Sequence, residues 1–92
     1  MNENRIENQL IDKVTQIGGY CLKSSSIGFN GMPDRMVLYQ GEIFFVELKA
    51  PGKKPRKLQK YIHQQLMNKG FNVRTIDSLE GVEEFINEIQ TS

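Results

Sequence analysis

Asp34, Glu47 and Lys49 are the residues whose types and spacing most directly suggest chemistry. Asp34 closes the segment Gly31-Met32-Pro33-Asp34, and Glu47-Leu48-Lys49 follows after twelve intervening residues. The β-rich runs Met36 to Tyr39 and Ile43 to Ala50 are separated by Gln40-Gly41-Glu42, which predicts a hairpin. Residues equidistant from its turn pair, so Glu47 is expected opposite Asp34 or Arg35, within a residue or two of register. Two carboxylates facing each other across a sheet repel unless something positive lies between them. A divalent cation is the natural candidate, because hard ions such as Mg²⁺ take oxygen ligands and bind through one or two carboxylates plus substrate phosphate. Lys49 shares a strand face with Glu47 and can hydrogen-bond an attacking water or a phosphate oxygen. Such an ion lowers the pKa of bound water and neutralises charge developing at phosphorus, the two requirements of phosphodiester hydrolysis. An isolated Glu-x-Lys is an ordinary charge pair on a solvated sheet face, so the argument rests on Asp34 being in register with it.

The rest of the chain supplies elements that would position these groups. Ile6, Leu10, Val14 and Ile17 recur at helical spacing up to Gly18-Gly19, and Glu7 falls inside the apolar arc of that helix. An inward acid needs a partner. Tyr20 to Lys23 reads as a short strand, and Ser24 to Gly31 has loop composition. Within Ile43 to Ala50, Glu47 and Lys49 alternate with Phe44, Val46 and Leu48, an apolar set on the other face. Pro51 to Pro55 breaks the chain before a helix from about Arg56 to Lys69, for which Leu58, Tyr61, Ile62 and Leu66 are the expected buried stripe. Gln59 lies on the shoulder of that stripe, and His63 lies off it and is expected to be exposed. Phe71 to Ile76 reads as a strand. Ser78 is the expected N-cap of a last helix with Leu79, Val82, Phe85, Ile86 and Ile89 facing inward, the last three supplying either packing or part of a dimer interface. The order α-β-β-β-α-β-α predicts an α/β domain with a mixed central sheet flanked by helices.

Composition bounds the function classes. Ninety-two residues make one domain, 1–92. The one cysteine, Cys21, cannot form an internal disulfide, and with His63 it is too few for a zinc site. No run has the length of a membrane span and the N-terminus lacks the apolar core of a signal peptide, so a cytoplasmic or nuclear setting is expected. The net charge of +1 hides an asymmetry. Lys49 to Lys60 holds six basic residues and no acid, whereas Asp77 to Glu88 holds five acids and no base. A basic run directly after the proposed cation site favours phosphate contact over a merely solvated loop.

Taken in order, Glu7 in the first helix, Gly31-Met32-Pro33-Asp34, Glu47-Leu48-Lys49, the loop Pro51-Gly52-Lys53-Lys54, Gln59 and then Gly70 resemble the VRR-NUC branch of the PD-(D/E)XK nucleases, the virus-type replication-repair nucleases. The resemblance spans roughly Glu7 to Ile76. It implies a restriction-endonuclease-like αβββαβ core, here with an added C-terminal helix, that hydrolyses DNA phosphodiester bonds with Mg²⁺ or Mn²⁺ and no small-molecule cofactor. It implies Asp34, Glu47, the Leu48 carbonyl and Glu7 as metal ligands, Glu7 directly or through water. Lys49 would activate or orient water and Gln59 would assist. Lys53, Lys54, Arg56, Lys57 and Lys60 are the expected DNA contacts. Stand-alone members of the branch, typical of phages, resemble homodimers that cut branched DNA, so a homodimeric endonuclease for four-way (Holliday) junctions, acting in DNA repair in a bacterial or phage-infected cytoplasm, is the leading expectation. A nuclease for forks, flaps or nicked duplex, and a catalytically silent DNA-binding module of the same fold, are the alternatives.

Overall fold

A computed structural model describes residues 2–24 and 30–91. The first helix, α1 (Glu3–Gln16), starts where the Asn2 side chain accepts a hydrogen bond from the Arg5 amide at 3.0 Å. It buries Ile6, Leu10 and Val14 and ends before Gly18, whose φ of +87° suits a residue without Cβ. Then follow β1 (Tyr20–Lys23), β2 (Arg35–Tyr39), β3 (Glu42–Leu48), α2 (Lys57–Asn68), β4 (Asn72–Ile76) and α3 (Leu79–Thr91). This is the expected order, with boundaries shifted by a residue or two at several ends. The loop expected over Ser24 to Gly31 lies largely outside the described residues.

The sheet runs β1-β2-β3-β4, antiparallel except for the parallel pair β3–β4. A parallel join needs a crossover connection, and α2 supplies it. The β2–β3 hairpin closes through Gln40 and Gly41, both with positive φ, a two-residue turn that matches the twist of its strands. That turn fixes Tyr39 against Glu42 and, rung by rung, Arg35 against Val46. The next rung sets Asp34 beside Glu47.

One face of the sheet is closed by α1 and α3. Val37, Phe44, Val46, Leu48 and Ile76 meet Ile6, Leu10 and Val14 of α1 and Val82, Phe85, Ile86 and Ile89 of α3 in a single core. Phe44 and Phe85 meet edge to face, with ring centroids 5.8 Å apart. Ser78 caps α3, its Oγ accepting from the Gly81 amide at 2.9 Å. Phe85, Ile86 and Ile89 are therefore core packing, and the dimer-interface reading of them does not hold.

The other face is covered by α2, and here the expected stripe holds only in part, with Ile62 buried and Leu66 half-buried. The buried residues of α2 are Gln59, Ile62 and His63, while Leu58 and Tyr61 are 51% and 60% exposed. The helix is rotated so that two polar side chains point inward. Apolar periodicity cannot anticipate this, because the sheet face that α2 covers carries a buried carboxylate that accepts a hydrogen bond from Gln59.

Candidate active site

That carboxylate is Glu47. It sits near the end of β3, is 2% exposed, and points toward α2 because Phe44, Val46 and Leu48 occupy the opposite face. Its Oε2 accepts a hydrogen bond from Gln59 Nε2 at 3.1 Å and lies 3.3 Å from Lys49 Nζ. Its Oε1 is buried with no hydrogen-bond partner. Burial, followed by the charge of Asp34, pushes the Glu47 carboxyl up to about 7, against the pull of Lys49.

Asp34 is held at the entrance to β2. Its Oδ2 accepts from the Leu48 amide at 2.9 Å, and its own carbonyl accepts from the Ser24 amide at 2.9 Å. The first ties the Asp34 side chain to the end of β3, the second extends the β1–β2 ladder by one residue, and Asp34 remains exposed. The glycine of the motif has a steric reason. Gly31 has φ +88°, and a Cβ there would lie 3.0 Å from Ile62 Cγ1 and 3.1 Å from the Leu58 carbonyl. The segment before Asp34 thus packs against the α2 backbone itself, and Pro33 behind it is fully buried.

Lys49 continues the β3–β4 ladder, its amide donating to the Ile76 carbonyl at 3.0 Å, and its side chain is only 15% exposed. Gln59 has two duties. Its Oε1 accepts from the Arg56 amide at 2.7 Å, closing the first turn of α2, and this aims its Nε2 at Glu47. The structure thus brings Asp34, Glu47, the Leu48 backbone, Lys49 and Gln59 together.

Glu7 is placed differently. Its Oε2 accepts from Arg35 Nε at 2.9 Å, and Arg35, paired with Val46, projects toward α1 rather than toward α2. Arg35 also reaches the Cys21 carbonyl at 3.4 Å, so its carboxylate partner is Glu7 and not the adjacent Asp34. The Cys21 thiol is pushed up to about 11 by burial, which leaves it protonated and unreactive.

His63 is the residue that the sequence reading misplaced. It is 6% exposed, and its Nε2, also without a hydrogen bond, lies 3.9 Å from Glu47 Oε1. Its position four residues after Gln59, on the same helix face, was the available signal. Lys53, Lys54, Arg56, Lys57 and Lys60 are all exposed, and none pairs with a described carboxylate. They occupy the loop after β3 and the start of α2, so the free positive charge begins where the carboxylates end.

The donors suit a hard divalent cation. Asp34 and Glu47 offer carboxylate oxygens, one of them buried and unpartnered, and their mutual repulsion is what a cation relieves. Among the described residues no three His, Cys, Asp or Glu side chains gather closely enough to hold a metal. A hard divalent ion can bind through one or two carboxylates, with water and substrate oxygens completing its coordination.

No family model matches the chain. It is 44% identical over 79 residues, 85% of each protein, to "Putative nuclease p44" of Acyrthosiphon pisum secondary endosymbiont phage 1. A solved VRR_NUC domain superposes with a TM-score of 0.85 at 32% identity, covering 92% of this chain and 94% of that one.

Proposed function

The chain belongs to the VRR-NUC family of nucleases, and from that premise we propose that it is a metal-dependent DNA endonuclease selective for branched structure. The observation that carries the reading is Glu47, a buried carboxylate across from Asp34, ringed by Lys49 and Gln59, with one oxygen left unpartnered. A protein that only bound DNA would gain nothing from acids that repel phosphate.

Asp34 and Glu47, with the Leu48 carbonyl, would hold Mg²⁺ or Mn²⁺. The ion supplies charge neutralisation at the scissile phosphate and a lowered pKa for water. Lys49 holds and orients the attacking water or a phosphate oxygen with its ammonium, which Glu47 keeps in place at 3.3 Å. Gln59 locks the Glu47 carboxylate to the helix that carries the basic residues. Lys53, Lys54, Arg56, Lys57 and Lys60 contact backbone phosphates and carry no base code, which favours recognition by shape. The place of Glu7 in the ligand set rests on the family resemblance alone.

Four-way junctions are the proposed substrate, cut by a homodimer, because a two-fold pair presents two basic stripes and two sites to symmetric arms. Exposed Tyr20, Leu22 and Ile43 on the sheet, and Leu58, Tyr61 and Phe71 around α2, supply apolar surface for such a pairing. The test is incubation with a four-way junction, a fork and linear duplex, each with Mg²⁺, Mn²⁺ or EDTA, alongside a measurement of mass in solution. Metal-dependent cleavage of the junction by a dimer is expected, and no metal-dependent cleavage of any substrate overturns the reading.

A further inference from the structure

Two buried polar atoms face each other in the site with no hydrogen bond: Glu47 Oε1 and His63 Nε2, 3.9 Å apart. The separation is too long for a hydrogen bond, and too short for a water to fit between them. Leaving such atoms unpaired is costly, so an arrangement that pairs them is favoured. Lys49 and Gln59 both address Oε2, so His63 is the residue positioned to hold the other oxygen.

An imidazole can donate a hydrogen bond from Nε2–H. Gln59 and His63, one helical turn apart on α2, thus bracket the two oxygens of one carboxylate from a single rigid element. We propose that His63 is a positioning residue for the cation site, its Nε2–H donating to Glu47 Oε1 when the carboxylate engages a divalent ion and so fixing which lone pair Glu47 presents. This inference rests on the proposed role of Glu47 as a metal ligand. Partners that orient ligating carboxylates commonly change metal affinity by about 10–100-fold when removed.

Mn²⁺ binding, read by electron paramagnetic resonance on the whole protein without DNA, tests it apart from cleavage. Wild type and Glu47→Gln are compared first: equal Mn²⁺ binding by the two refutes the ligand role itself, and this inference with it. Given a difference there, His63→Leu is expected to weaken Mn²⁺ binding about tenfold, and His63→Gln, whose amide can supply a donor near the position of Nε2, to restore most of it. Wild-type affinity in a folded His63→Leu protein overturns the proposal. So does a directly coordinated imidazole nitrogen in the spectrum of the wild-type Mn²⁺ complex, since His63 would then be a ligand. If His63→Leu does not fold, His63→Gln and His63→Asn carry the comparison: the shorter amide is expected to bind weakly, and equal affinity of the two overturns the inference.

Discussion

Glu47 is buried at an energetic cost, and that cost has a sign. In the unfolded chain a glutamate loses its proton near 4.5, whereas burial and Asp34 push the folded group up to about 7. Between those values the folded state binds more protons than the unfolded one, so stability falls as pH rises from 4.5 to 7 and the penalty persists above. Glu47→Gln removes the titration. The metal-free variant is expected to be more stable than wild type at pH 8, by on the order of 2 kcal/mol, with the difference shrinking toward pH 4.5. Urea unfolding at several pH values in EDTA checks it, and a difference that does not change with pH refutes it. The same variant is expected to lose cleavage, the trade-off between stability and activity that polar active sites show.

Two elements are locked to the site by contacts that substitutions can separate. The approach of the Gly31 segment to α2 leaves no room for a methyl group, and its positive φ disfavours any other residue. Gly31→Ala is expected to lower stability by about 1–3 kcal/mol and to lower cleavage, because the same segment delivers Asp34. Thermal unfolding together with a cleavage assay reads both effects, and unchanged values for the two would remove the steric account of the motif glycine. On the other side of the sheet, Glu7 and Arg35 tie α1 to β2 with little solvent around the guanidinium. Glu7→Gln is expected to destabilise the fold by about 1–3 kcal/mol, since it leaves a mostly buried Arg35 without its countercharge. Mn²⁺ binding by that variant then separates structure from catalysis. Lost stability with full affinity makes Glu7 an architectural residue, and lost affinity makes it a member of the ligand set.

At the scale of the whole molecule, charge and surface decide what can approach. The net charge of +1 combines a basic stretch beside the site with acids on and around α3, where Glu88 pairs with Arg74 and Glu83 with Lys13. Lys53, Lys54, Arg56, Lys57 and Lys60 of the basic stretch pair with no described carboxylate and can meet phosphates. Lys53→Ala and Lys54→Ala are each expected to weaken DNA binding about equally across sequences, and to reduce the slope of log K against log salt by about 1 per lost contact. Titrations in EDTA with Lys49→Ala, which is expected to be inactive, as the background check this. Wild-type slopes would place the DNA path elsewhere.

The sequence by itself determined the order of elements, the hairpin and the strand faces, because period-two and helical patterns are local and the Gln40-Gly41 turn sets the register on its own. Counting outward from that turn put Glu47 opposite Asp34 or Arg35, and the pairing of Arg35 with Val46 decides for Asp34. Only the tertiary structure decided which face α2 turns inward. Leu58 and Tyr61 rank as more apolar than Gln59 and His63, yet they are exposed, and the surface α2 meets carries the buried Glu47 carboxylate, to which Gln59 donates. The pairing of Glu7 with Arg35 was hidden for a related reason. An inward acid announces that it needs a partner, but the partner stands 28 residues away on another element, and only packing brings them together.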